Sequence, residues 1–219
     1  GPVVREIVHV GWPAALNMMV LNIGFMAVIG MLASIDELAI AAHTVGLRIQ
    51  SMAFVPGFAI SMASAPLIGQ ALGRGDIPGA RAVTRETVMQ SFVAMTVLGL
   101  IFVFFDEALI LAFDIPGDTT LFGYTSTWIQ ILGYTMPIFG IHIAFVGTFQ
   151  GSGATWLSLG LNSLSTLLIQ IPAAYVLGIV YGLGPLGVWL CFPIGFAARA
   201  TLEAWAISGS RWTKTGLHV

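Results

Sequence analysis

The feature that most constrains this chain is a long stretch with no Asp, Glu, Lys or Arg, from Thr119 through Ala198. Soluble domains average roughly 25% charged residues, whereas 8% of this chain is charged and 57% is hydrophobic. A membrane-spanning helix needs about 20 apolar residues, because the hydrocarbon layer is about 30 Å thick and each residue rises about 1.5 Å. The uncharged stretch therefore has room for about three crossings.

Charged residues and clusters of glycine and proline divide the whole chain into six apolar segments, each long enough to cross a bilayer. The predicted fold class is an all-α integral membrane protein, a bundle of six transmembrane helices forming a single lobe over residues 1–219. The helices are predicted at about 3–33, 38–72, 84–105, 120–149, 155–180 and 185–208. We interpret Gly1-Pro2 as the remnant of a cleaved tag.

The basic residues are concentrated on one side of the predicted bundle. With six crossings, this side holds both ends of the chain and the connection after helix two, which together carry Arg5, Arg74, Arg81, Arg85, Arg211 and Lys214. The opposite side carries Asp36, Glu37, Asp106, Glu107, Asp114 and Asp118. Because cytoplasmic loops are enriched in lysine and arginine, we expect a multi-pass protein of the cytoplasmic (inner) membrane with both termini in the cytoplasm.

The connection after helix two also carries a motif. Its sequence GQALGRGD, residues 69–76, is followed by Ala80-Arg81, and Asp76 is placed to cap the next helix. Three other segments are GWPAALN at 11–17, ELAIAAHTVGLRIQSMAFVPGFAISMASAPLIGQ at 37–70 and GSGAT at 151–155. Taken in order, these segments resemble the second, C-terminal half of multidrug and toxin extrusion (MATE) transporters.

The resemblance implies a twelve-helix antiporter built from two six-helix lobes, which exports amphipathic organic cations while H⁺ or Na⁺ enters. Beyond the coupling ion, it implies no cofactor. Because this chain predicts six helices, the resemblance implies a second six-helix lobe as partner, either a second copy in a homodimer or the other half of a longer protein. The remaining expected partners are a small organic cation and the lipid bilayer, and the net charge of −2 gives no indication of nucleic acid.

Polar side chains at membrane depth are costly and are therefore functional candidates. Arg48 lies about ten residues, or about 15 Å of helix rise, from the acidic end of helix two, which places it near the bilayer centre. Arg199 and Glu203 are four residues apart on helix six, so they are predicted to pair near the membrane interface. The candidates for a substrate or ion pathway are Arg48, Asn17, Asn22, His43, Gln50, Tyr134, His142 and Glu203.

Prolines interrupt most of the predicted helices, and the hinge candidates are Pro56, Gly57 and Pro137. The sequence contains none of the HExxH, GxSxG or P-loop motifs, so we do not expect an enzyme. Two other functions stay open: a lipid-linked saccharide flippase of the same superfamily, which would favour a more cationic cavity, and a membrane subunit or scaffold that does not transport.

Overall fold

The structure, a computed structural model, describes residues 2–117 and 119–213, with the side chains of residues 2–10 and 14 left out of the description. Gly1, Asp118 and Lys214, which entered the sequence analysis, lie outside the described residues. In the described part, six helical stretches are long and apolar enough to cross a membrane, at Gly11–Ile35, Val55–Gly73, Ile77–Phe104, Thr120–Gly151, Thr155–Val180 and Gly184–Ser208. The predicted fold class is confirmed.

Within residues 2–117 and 119–213, the chain forms ten α-helices and two π-helical turns. The first half of the chain contains α1 (Pro2–Ile35), α2 (Glu37–Ala53), α3 (Val55–Gly73), α4 (Ile77–Phe104) and α5 (Asp106–Leu111). The second half contains α6 (Thr120–Gly151), α7 (Thr155–Ser165), a π-helical turn π1 (Thr166–Gln170), α8 (Ile171–Tyr175), a second turn π2 (Val176–Val180), α9 (Gly184–Trp189) and α10 (Cys191–Ser208).

Helix α6 is at the centre of the bundle, where it contacts α2, α3, α4 and α10. Small residues allow this close packing: a Cβ atom added at Gly133 would lie 2.8 Å from the Gly99 carbonyl oxygen of α4, and one added at Gly147 would lie 2.7 Å from the Ser61 carbonyl oxygen of α3. Helices associate in membranes largely through such backbone approaches, because lipid tails supply no hydrophobic driving force. Helix α1 packs mainly against α7 and completes the bundle on the other side.

The second predicted helix, at 38–72, is not one continuous helix. It is interrupted at Phe54, between α2 and α3. Pro56 lies in the first turn of α3 and has no backbone N–H to donate to a preceding carbonyl, so the regular ladder cannot pass through this point. Phe54 itself keeps right-handed helical dihedral angles, so α2 and α3 remain consecutive parts of one crossing.

The third helix begins at Ile77 rather than at about Thr84. The Asp76 side chain accepts a hydrogen bond from the Gly79 amide at 2.8 Å, and Pro78 occupies the first turn. The extra turns follow from this cap, because it satisfies an amide that would otherwise lack a partner at the helix start. A short helix, α5, also follows α4 where the sequence analysis placed none.

The last two crossings are less regular than predicted. The fifth contains π1 and π2 on either side of the short helix with Pro172, and the sixth is interrupted at Leu190, shortly before Pro193. Proline removes a backbone donor in each case, and π-helical turns are a common way to accommodate such a loss. The π1 turn matters most for the site described below, because it carries Thr166 and Gln170.

Candidate functional site

A cavity of about 630 Å³ lies between α1, the α2/α3 crossing, α6, the α7/π1 crossing and α10. Its polar lining residues include Asn17 from α1, Gln50 from α2, His142 from α6, Asn162 from α7 and Arg199 from α10. Aromatic and methionine side chains form most of the apolar part of the wall. Every crossing except α4 therefore contributes to the cavity, which makes it the central feature of the bundle.

His142 and Glu203 form a buried pair at the wall of this cavity. The Nδ1 atom of His142 lies 2.8 Å from the Oε2 atom of Glu203, and the two side chains are 6% and 0% exposed. His142 lines the cavity, whereas Glu203 lies behind it. A carboxylate inside a membrane needs a charged or hydrogen-bonding partner. The histidine supplies that partner and stands between the carboxylate and the cavity.

Arg199 is bound by the neighbouring crossing and not by Glu203. Its Nη2 atom donates to Thr166 Oγ1 at 2.7 Å and also to Gln170 Oε1, and its guanidinium carbon lies 5.0 Å from the centre of the Phe196 ring. The predicted Arg199–Glu203 ion pair at the membrane interface is therefore wrong. Both side chains are instead buried in the bundle, because α6 and π1 offer each of them a closer partner.

Several residues on the cavity wall have unused hydrogen-bonding capacity. On this wall, the buried side-chain atoms that lack a partner in the described structure are Asn17 Oδ1, Gln50 Oε1, Thr155 Oγ1, Asn162 Oδ1 and Arg199 Nε. Buried polar groups in folded proteins are nearly always hydrogen-bonded to protein or water. Five of the eleven such atoms in the described structure lie on this wall, which is consistent with a wall that binds water or a polar group of a ligand.

The apolar part of the wall is aromatic. The Phe54 and Phe139 rings are stacked with their centres 3.7 Å apart, and Phe196 meets Phe139 edge-on at 5.3 Å. Phe58 and Phe25 extend this surface towards α3 and α1. Ring faces attract organic cations, and flat rings also present a large apolar area. The wall can therefore contact an amphipathic molecule over its apolar surface.

The structure brings together part of the predicted site. Asn17, Gln50 and His142 line the cavity, and Glu203 is directly behind His142. Four other candidates do not line it. Arg48 and Asn22 are exposed on their helices, Tyr134 is 67% exposed, and His43 is buried against Trp128, with ring centres 4.9 Å apart. Their roles in a pathway stay predictions.

The hinge candidates occupy two different settings. Pro56 and Gly57 immediately follow the interruption at Phe54, and a Cβ atom added at Gly57 would lie 3.2 Å from the Met95 sulfur. Pro137 lies inside α6, which continues through it from Thr120 to Gly151. Pro56 and Gly57 thus lie where the helix is already interrupted, whereas Pro137 does not. A hinge role for any of them stays a prediction.

Sequence reasoning missed three residues of the site. Arg199 was assigned to the membrane interface, and neither Thr166 nor Ser158 was considered, although both line the cavity. A usable signal was the spacing: Ser158, Asn162, Thr166 and Gln170 recur every four residues on the fifth crossing. Such a row marks one face of a helix, and a polar face within a membrane faces protein or water.

The fold and the cavity define a class, a multi-pass helical membrane protein with a polar and aromatic cavity enclosed by its crossings. Comparison with known proteins gives the family. The MatE family model matches residues 13–176, and the chain belongs to this family.

Individual relatives show how much of such a protein this chain represents. The chain is 27% identical over 210 residues to the probable multidrug resistance protein NorM of Thermotoga maritima, an alignment that covers 96% of this chain and 45% of that protein. Among solved structures, a MATE in the bent conformation superposes with a TM-score of 0.88 at 21% identity over 99% of this chain and 48% of the other. The MATE transporter ClbM in complex with Rb⁺ gives 0.88 at 22% identity, over 97% and 50%. The chain spans about half the length of these relatives.

Proposed function

We propose that this chain is one lobe of a multidrug exporter that moves amphipathic organic cations across the membrane in exchange for protons. Family membership and the name of the NorM relative support export of drug-like compounds. The observation that supports proton exchange is the buried pair of His142 and Glu203 at the cavity wall. The chemistry is binding and conformational exchange, not catalysis.

The charges of the wall explain how exchange would work. With His142 neutral, the positive charge of Arg199 and the negative charge of Glu203 balance. A proton taken up by the His142–Glu203 pair gives the wall a net positive charge and disfavours a bound organic cation through Coulomb repulsion. Proton entry from outside would thus release the substrate outside, and loss of the proton inside would restore affinity for the next molecule.

A second lobe is part of the proposal. Because the chain spans about half the length of its relatives, we propose that a second six-helix lobe, either another copy of this chain or the other half of a longer protein, faces the cavity described here. Alternating access is commonly achieved by movement of one such repeat against the other. The distribution of arginines supports an orientation in the cytoplasmic membrane with both termini in the cytoplasm.

The alternative of a lipid-linked saccharide flippase is favoured by one observation. Arg199 is the cavity-lining residue with a permanent positive charge, and its buried Nε atom has no partner in the described structure. A guanidinium group with a free donor suits a phosphate or other anionic group. Arg48, which was predicted to lie near the bilayer centre, is exposed and does not line the cavity.

The experiment that tests the proposal is transport by the 219-residue chain in proteoliposomes. We expect ethidium efflux driven by an imposed pH gradient, and loss of this flux in Glu203→Gln. The matched control is Glu107→Gln, the same substitution at an exposed carboxylate of α5. Ethidium flux that depends on a Na⁺ gradient and not on the pH gradient would contradict proton exchange. Movement of a lipid-linked saccharide but not of ethidium would support the flippase.

A separate measurement concerns the second lobe. The mass of the detergent-solubilised particle gives the number of copies it contains. Two copies with gradient-driven flux would support a homodimer. Two copies without flux of either substrate would support a non-transporting subunit, and one copy without flux would show that the other half has to be added.

A further inference from the structure

A second groove, of about 420 Å³, lies on the outside of the bundle between α4, α6 and the end of α10. Its floor is apolar and includes Val88, Met89, Phe92 and Phe145. Arg81 and Arg85 lie at the end of the groove that is nearest to the start of α4. Each α4 residue of the groove lies three or four residues from another member of the set, so these residues occupy one face of that helix. The groove therefore joins an apolar channel to two cationic side chains.

The two arginines differ in what they bind. Arg81 donates to the carbonyl oxygens of Ile207 at 3.3 Å and Gly209 at 2.9 Å, and it lies 5.6 Å from the centre of the Trp212 ring. It thus holds the end of α10 against α4. Arg85 is exposed, and within the described structure its side chain has no hydrogen bond or ion pair. Of the two arginines of the groove, Arg85 is therefore the one whose guanidinium group is available to bind a ligand.

The depth of Arg85 indicates which ligand this is. Helix α4 has 28 residues, which corresponds to about 42 Å and exceeds the hydrocarbon layer by about 6 Å at each end. Arg81 lies four residues, or about 6 Å, after Ile77 and is therefore at the boundary between headgroups and acyl chains. Arg85 lies one turn deeper, about 6 Å below that boundary, and its long side chain extends back towards the headgroup phosphates.

We propose that this groove binds an anionic phospholipid of the adjacent leaflet. The lipid phosphate contacts the guanidinium group of Arg85, and one acyl chain lies along Val88, Met89 and Phe92. Arginine forms strong paired hydrogen bonds with phosphate, and basic pockets between transmembrane helices are suited to anionic headgroups. Because Arg81 also borders the groove, a lipid bound there would lie against the contact between α4 and α10.

The test is lipid retention by the purified chain, measured by native mass spectrometry after addition of dioleoyl-phosphatidylglycerol or dioleoyl-phosphatidylcholine. We expect the wild-type chain to retain more phosphatidylglycerol, and Arg85→Gln to lower that retention about five-fold, towards the level of phosphatidylcholine. The matched control is Arg74→Gln, since Arg74 is an exposed arginine at the same end of the bundle. Met89→Trp, which fills the groove but keeps both arginines, should lower the retention of both lipids.

Three results would overturn the proposal. The first is equal retention of phosphatidylglycerol by wild type and Arg85→Gln, and the second is an equal loss in Arg74→Gln. The third is displacement of the lipid by soluble glycerol phosphate, since the site would then recognise phosphate alone. If Arg85→Gln does not fold, Arg85→Lys replaces it, and we then expect retention between that of wild type and that of phosphatidylcholine.

Discussion

Arg199 and Glu203 lie one turn apart on α10, yet each is bound to a different helix. Glu203 pairs with His142 of α6, at 2.8 Å, and Arg199 donates to Thr166 and Gln170 of π1. One turn of α10 is therefore joined to two neighbouring crossings through charged groups that are almost fully buried. This arrangement connects the stability of the bundle to the charge state of the cavity.

Removal of the Arg199 side chain should destabilise the chain strongly. Arg199→Ala leaves Thr166 and Gln170 without their partner and leaves the charge of Glu203 less compensated, and breaking a buried polar network of this kind costs about 3–5 kcal/mol. Thermal unfolding of the detergent-solubilised chain measures the effect. Arg74→Ala is the matched control, because Arg74 is exposed and its loss should change the unfolding temperature little. Equal effects of the two substitutions would contradict the assignment of Arg199 to the network.

Binding of an organic cation should weaken as the pH falls. Protonation of the His142–Glu203 pair adds one positive charge, which at about 8 Å from a bound cation and an effective dielectric constant of about 20 costs about 2 kcal/mol, or about 30-fold in affinity. Tetraphenylphosphonium binding over a series of pH values measures this dependence. In His142→Asn the affinity should be nearly constant over the series. If His43→Asn removes the dependence instead, the proton binds beside Trp128 and not at the cavity wall.

The crossings were predictable from the sequence because their cause is local. The run from Thr119 to Ala198 excludes a water-exposed fold whatever its packing, and the charges at Asp36 and Asp106 mark where α1 and α4 end. The pairing of Glu203 was not predictable. The spacing of four residues on one helix predicts Arg199 as the partner of Glu203. The actual partner, His142, is distant in sequence and becomes a neighbour only through the packing of α10 on α6.

The orientation of each helix was also beyond the sequence. A membrane helix that is apolar all round has no solvated face to show which way it points, so Asn22 and Tyr134 were indistinguishable in pattern from Asn17 and His142. Contacts decide the outcome: Asn22 donates to the Met18 carbonyl oxygen of its own helix at 2.8 Å and stays outside, whereas His142 meets Glu203. The interruption at Phe54 lies two residues before Pro56, one of the prolines named from the sequence, whereas the interruption at Leu190 was not predicted.

The close approach of α4 and α6 can be tested at a single glycine. In Gly133→Ala the new Cβ atom would lie 2.8 Å from the Gly99 carbonyl oxygen, so the helices must separate, with a loss of about 1–3 kcal/mol. Gly160→Ala is the control, since no described atom outside its own helical turn lies within 4 Å of a Cβ added there and the change should stabilise α7 slightly. The thermal unfolding temperature should therefore move in opposite directions in the two variants. Unfolding of Gly133→Ala at the wild-type temperature would show that this approach is not required.

Arg48 should be important for assembly with a second lobe and unimportant for the stability of this one. It is exposed on α2, and within the described structure its side chain has no hydrogen bond or ion pair. An arginine at this depth that faced lipid would be costly, whereas a carboxylate or carbonyl oxygen of a facing lobe would satisfy it. We therefore expect Arg48→Ala to shift the particle mass from two lobes towards one, with unchanged thermal unfolding of the separate lobe. Arg48→Lys keeps the charge and should retain part of the assembly. An unchanged particle mass in Arg48→Ala would show that the side chain extends to the headgroups instead, and that the interface between lobes lies on another face.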